Sequence, residues 1–139
     1  MEIIILPSVI VKIRRFCAFQ ERSHQDVKEK LYSLGLYKKQ VEVILAQLIE
    51  DNYLNEERFA TTFARGKFRI KNWGRIKIKY ELQQKRVSSY NINKALDEID
   101  EAAYLKTLQK LANKKWILAK ENQLMMRKSK ALQYLLHKG

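Results

Sequence analysis

Two stretches of this chain carry the same apolar pattern 51 residues apart. Laid over each other, VKEKLYSLGLYKKQVEVILAQLIED and IKIKYELQQKRVSSYNINKALDEID pair Val27 with Ile78, Leu31 with Leu82, Leu36 with Val87 and Val41 with Ile92. The register continues through Ile44 with Ala95, Leu45 with Leu96 and Leu48 with Ile99. A fixed internal period decides architecture before any motif does, because each unit buries its apolar face on its neighbour. KSKALQYLLHKG then sets Ala131, Leu135 and Gly139 where an aliphatic residue, Leu and Gly would fall in a third copy. The expectation is an all-α chain of elongated tandem repeats of three-helix units. Repeat one spans 1–53, repeat two 54–100, and a partial third, lacking its last helix, 101–139.

Local signals agree with helices. One proline and four glycines in 139 residues leave long segments uninterrupted. The first helix is expected from Ser8 to Glu21, with Val9, Ile13, Phe16 and Cys17 on one face. Ser23 opens SHQD, a capping-box pattern that starts the next helix, and Gly35 suits a left-handed stop. Val41, Ile44, Leu45 and Leu48 recur at helical spacing. Asn55 is a good N-cap, with Glu56 and Glu57 favourable at the positive end of a helix dipole. RIKIKYEL alternates apolar and charged residues and in isolation reads as a strand. The repeat overrules that reading, since Ile78 and Leu82 fall on Val27 and Leu31, and a lone strand would have no partner. Ser88 or Ser89 caps the helix that follows. A long helix runs from near Asp100 to Lys120, carrying Leu105, Leu108, Leu111, Ala112 and Trp116, and a last one passes through Leu132, Leu135 and Leu136. An apolar face at Leu132 to Leu136, without that last helix, would be a liability or a docking surface.

The chemistry-bearing residues exclude more than they offer. Cys17 is the only cysteine, so no intramolecular disulfide forms, and it reads as a small apolar residue beside Phe16 and Phe19. His24 and His137 lack partners at metal spacing, and Asp97, Glu98, Asp100 and Glu101 read as a solvated helix junction. No phosphate-binding loop, dinucleotide fingerprint or readable nucleophile–base pair occurs. The apolar opening around Ile3 to Ile13 is broken by Pro7 and Ser8 and followed by Arg14 and Arg15, too short for a span and in the wrong order for a signal peptide. The expectation is a cytoplasmic binding protein, monomeric, with no enzyme activity, cofactor, small-molecule substrate or membrane partner.

Charge points to the partner. The net charge is +13, distributed as +1 over residues 1–53, +5 over 54–100 and +7 over 101–139. Such a field steers a protein toward polyanions and releases their counterions on contact. The densest run holds Arg65, Lys67, Arg69, Lys71, Arg75, Lys77, Lys79, Lys85 and Arg86 against the single acid Glu81, with Phe68, Trp73 and Tyr80 interleaved. A second group gathers Lys114, Lys115, Lys120, Arg127, Lys128 and Lys130. Basic side chains hold phosphates without reading sequence, and rings can stack on unpaired bases. Phe68 and Trp73 also suit a core or turn role.

The residues Arg22-Ser23, Lys30-Leu31, Gly35, Leu54 to Ala60 (LNEERFA), Trp73-Gly74, Ile78, Leu82 and Ala95-Leu96 together resemble the RecX family of bacterial regulatory proteins. Asn55 stands where that pattern often has Asp, and Lys85-Arg86 where it often has Lys-Gly. The resemblance implies tandem three-helix repeats that bind the RecA recombinase along the groove of its DNA filament and restrain ATP hydrolysis and strand exchange. It implies no catalytic residues. The alternative from the residues alone is a stand-alone basic helical module that binds nucleic acid without a recombinase.

Overall fold

The structure, a computed structural model, describes the backbone of residues 4–118 and 124–139 and the side chains of 4–116 and 131–139. Among the described residues there are eight helices and no strand: α1 (Pro7–Phe19), α2 (His24–Ser33), α3 (Lys38–Glu50), α4 (Glu56–Lys71), α5 (Arg75–Gln84), α6 (Ser89–Asp97), α7 (Glu101–Leu118) and α8 (Leu124–Lys138). None is long and apolar enough to cross a membrane. RIKIKYEL is α5, as the repeat requires. Its alternation fails because Ile78 and Leu82, one turn apart, are fully buried, whereas Ile76 and Tyr80 face outward.

The helices start and stop where the sequence has the means. Ser23 Oγ accepts from Asp26 N–H at 2.9 Å while Asp26 accepts from Ser23 N–H at 3.1 Å, closing the capping box of α2. Asn55 and Ser88 accept from Arg58 and Asn91 N–H in the same way. At the end of α2, Gly35 N–H bonds to Tyr32 C=O and Leu36 N–H to Leu31 C=O, with Gly35 at φ +89°. At the end of α5, Arg86 N–H bonds to Gln83 C=O and Val87 N–H to Leu82 C=O, with Arg86 at φ +59°. These are the same paired-bond helix stops, one period apart, and only the first has the glycine that favours them.

Burial follows the period. One cluster joins Ile13, Cys17, Val27, Leu31, Val41, Ile44, Leu48 and Leu54; a second joins Phe59, Ala60, Ala64, Ile78, Leu82, Val87, Ile92, Ala95 and Ile99. Leu54 therefore packs with the first unit. The register extends to the first helices, where Ile13 and Ala64, also 51 residues apart, are each fully buried.

Three expectations change. Helix α1 begins at Pro7, whose missing N–H costs nothing in the first turn, and ends at Phe19 because Gln20 is extended at φ −160°. Phe19 does not pack beside Cys17 but is 81% exposed. On α7, Leu111 is buried, while Leu105 and Leu108 are exposed together with Leu132 and Leu136 of α8. Helix α8 lies along α7, and its end meets the α4–α5 joint: Gly74 N–H donates to Lys138 C=O at 2.7 Å and Ile76 N–H to Gly139 C=O at 3.2 Å. A Cβ on Gly74 would overlap the Gly139 backbone carbonyl, so this approach requires glycine.

Candidate functional site

Ten of the eleven basic residues expected in the site whose side chains are described lie on α4, α5, α7 or the first residue after α5, and the eleventh, Arg86, follows directly. Arg127, Lys128 and Lys130, like Lys120, lie outside the described side chains. The eleven separate into three kinds.

Arg75 and Lys85 are committed to holding repeats together. The Arg75 guanidinium pairs with Glu101 and lies 4.0 Å over the Tyr104 ring, which itself stacks on Phe68 at 5.8 Å. Lys85 Nζ bonds Asp26 Oδ1 at 3.0 Å across 59 residues, joining α5 to α2. Beside it, Arg58 Nε lies 2.6 Å from Glu21 Oε1. Burial pushes the Asp26 carboxyl up, but the hydrogen bonds from Lys85 and Ser23 prevail and hold it below the usual range. Both cations read from sequence as free positive charge, and both are spoken for.

Lys67 and Lys77 are half-buried and converge on Trp73, with Nζ at 5.0 and 4.7 Å from its ring centroid. Trp73 meets Phe63 edge-on at 6.3 Å and packs on the second cluster, as Phe68 does. Both aromatics therefore anchor the core and turn. Lys115 similarly lies 4.9 Å over Tyr134. A lysine over a ring retains its charge and can still meet a phosphate on its open side.

Arg65, Arg69, Lys71, Lys79, Arg86 and Lys114 are exposed. Arg65 reaches only to 4.0 Å of Glu98. Among the described residues, Arg69, Lys71, Lys79, Arg86 and Lys114 make no ion pair. Ile70, Ile76 and Tyr80 stand between them, 80%, 76% and 57% exposed. Lys106 and Lys110, also exposed, extend the α7 group at four-residue spacing from Lys114. That i, i+4, i+8 stripe is readable in the sequence, since residues four apart share one side of a helix.

The other titratable groups are structural. Burial pushes the Cys17 thiol up to about 11, with Arg22 lowering and Glu21 raising it, which keeps it protonated. His24 has a buried Nε2 without a hydrogen-bond partner, and burial lowers its pKa. Asp100 accepts from Ala103 N–H at 3.2 Å as the cap of α7, and Glu101 pairs with Arg75. Among the described residues no cluster of His, Cys, Asp and Glu could hold a metal ion.

Fold and face together define a tandem helical-repeat protein with a basic surface on its second and third units. The family model for RecX, second three-helix domain, matches residues 55–96, from the cap of α4 nearly to the end of α6. Regulatory protein RecX of Prosthecochloris aestuarii is 35% identical over 88 residues, covering 63% of this chain and 58% of that protein. Regulatory protein RecX of Clostridium tetani is 31% identical over 127 residues, covering 90% of this chain and 58% of that protein. A crystal structure of regulatory protein RecX superposes with a TM-score of 0.86 at 23% identity, covering 95% of this chain and 65% of that one. The chain belongs to the RecX family. It spans little more than half the length of these two curated relatives.

Proposed function

We propose that the protein binds the RecA–DNA filament and restrains its ATP hydrolysis and strand exchange, acting as a cytoplasmic monomer through three successive units at 1–53, 54–100 and 101–139. The observation that carries the reading is the set of exposed cations on α4 and α5, Arg69, Lys71 and Lys79, which have no carboxylate partner among the described residues and belong to the unit that matches the family model. On this reading the helix stripes build the scaffold, and these cations, with Arg65, Arg86, Lys114 and the ring-seated Lys67, Lys77 and Lys115, meet filament phosphates and acidic protein surface. Arg75 and Lys85 are removed from the contact set because inter-repeat ion pairs occupy them.

The test is a titration into preformed RecA–DNA filaments, reading ATP hydrolysis. Changing Arg69, Lys71 and Lys79 to Glu should weaken the effect while leaving helicity intact. It should also reduce the slope of log affinity for DNA against log salt concentration by about 0.9 for each lost phosphate contact. Unchanged restraint in that variant would remove the face from the site. A wild-type protein that acts on filaments only at concentrations that coat the DNA would favour the stand-alone nucleic-acid module.

A further inference from the structure

Two of these cations, Lys67 and Lys71, also line a concave surface. Between the α1–α2 joint and α4 lies an open groove of about 440 Å³, whose lining includes Glu21, Asp26, Phe63, Gly66, Lys67 and Ile70. Gly66 lies inside α4 with an ordinary helical backbone, and a Cβ built on it would meet nothing within 4 Å. Glycine is the poorest helix residue after proline, so the fold carries a cost at this position with no turn, strain or packing need behind it. What a missing side chain provides in an open groove is close approach to the helix backbone.

We infer that this groove docks a segment of the filament's protein that presents acidic side chains beside an apolar one, a deepening that rests on the filament reading above. The charges select an acidic occupant. Glu21 and Asp26 are already answered by Arg58 and Lys85, whereas among the described residues Lys67 and Lys71, which also lines the groove, have no carboxylate within ion-pair distance. The apolar element is Ile70, 80% exposed, with the half-buried Phe63 also in the lining. Nucleic acid fits less well, because two carboxylates stand in the wall and Ile70 offers no flat surface for a base. Gly66 lets the segment lie against α4 between these groups.

Gly66→Ala and Gly66→Leu test the assignment, since the open space at Cβ lets both fold. Each should raise the melting temperature, by roughly 4 °C for alanine. Two further readings are made on each variant: the concentration for half-maximal restraint of ATP hydrolysis by preformed filaments, and affinity for single-stranded DNA alone. Gly66→Leu should require at least about ten-fold more protein for half-restraint, Gly66→Ala an intermediate amount, with DNA affinity unchanged. Variants as potent as an active wild type overturn the groove and leave the filament reading standing. A parallel loss of DNA affinity overturns the protein segment as occupant. Lowered melting temperatures overturn the premise that position 66 is open. An inert wild type overturns the filament reading and the groove with it.

Discussion

Repeats one and two bury equivalent residues but assemble them differently. In repeat two, α4 and α6 pack closely along their lengths; in repeat one the principal contact is between α2 and α3, and α1 sits looser. Side-chain volume at the contact accounts for the difference. Ala60, Ala64 and Ala95 let α4 and α6 approach, while their counterparts 51 residues earlier, Val9 and Ile13 of α1 and Ile44 of α3, are larger. The tight unit bears the basic face and the loose one is nearly neutral, so the rigid scaffold and the charge coincide.

The largest effect that sharpens this comparison comes from the equivalent leucines. Leu31→Ala and Leu82→Ala should each cost about 3 kcal/mol, read by denaturant unfolding. Hydrogen exchange should show α1–α3 opening alone in the first variant and α4–α6 in the second. Simultaneous opening of both units in either variant would show one cooperative core instead of two.

The joint between the units should give the next effect. Lys85→Ala removes the Asp26 partner, and because the pair is only partly screened by protein a double-mutant cycle with Asp26→Asn should return about 1 kcal/mol of coupling. A coupling near zero would mean that the apolar contacts alone fix the angle between repeats.

Acid should loosen the same region in two stages. His24 has a folded-state pKa below its ordinary 6.5, through burial, so the unfolded chain binds the proton first. Its contribution is complete above pH 6.5 and declines as pH falls through that value; His24→Gln should abolish this stage in thermal melts across pH 5 to 8. Asp26 and Glu56 have lowered values, their burial outweighed by hydrogen bonds from Lys85 and Ser23 and from Ser88 and Asn91. Their contributions persist above the ordinary carboxyl range and vanish as pH falls through the depressed values, which Asp26→Asn should reveal as a smaller acid transition.

The smallest effect concerns the two helix stops. Arg86 holds the left-handed conformation that Gly35 holds in repeat one. Arg86→Gly should stabilise by about 0.5 kcal/mol, the relief of strain exceeding the entropy that glycine adds to the unfolded chain. If melting does not rise, Arg86 has contacts that offset its strain.

Much of the fold was legible because its signals are local. The Ser23–Asp26 box, the Asn55 and Ser88 caps and the Gly35 stop each act within four residues, and the period carried Ile78 and Leu82 into a helix against their alternation. The site was less legible. Arg75 and Lys85 looked as free as Arg69 and Lys79, since the runs that contain them hold only Glu81; their partners Glu101 and Asp26 lie 26 and 59 residues away. Phe19 lies two residues beyond Cys17, and a two-residue step on a helix turns a side chain to the opposite face, which leaves it exposed.

The sequence by itself determined the repeat, the helices, their caps and a charge that grows along the chain, because spacing and capping are properties of neighbouring residues. Only the tertiary structure decided which cations remain free, that Gly66 faces a groove, and that Gly74 is required by the backbone at Gly139. Those depend on how one packed unit is set against the next, and that setting brings together side chains whose separation in the chain carries no pattern.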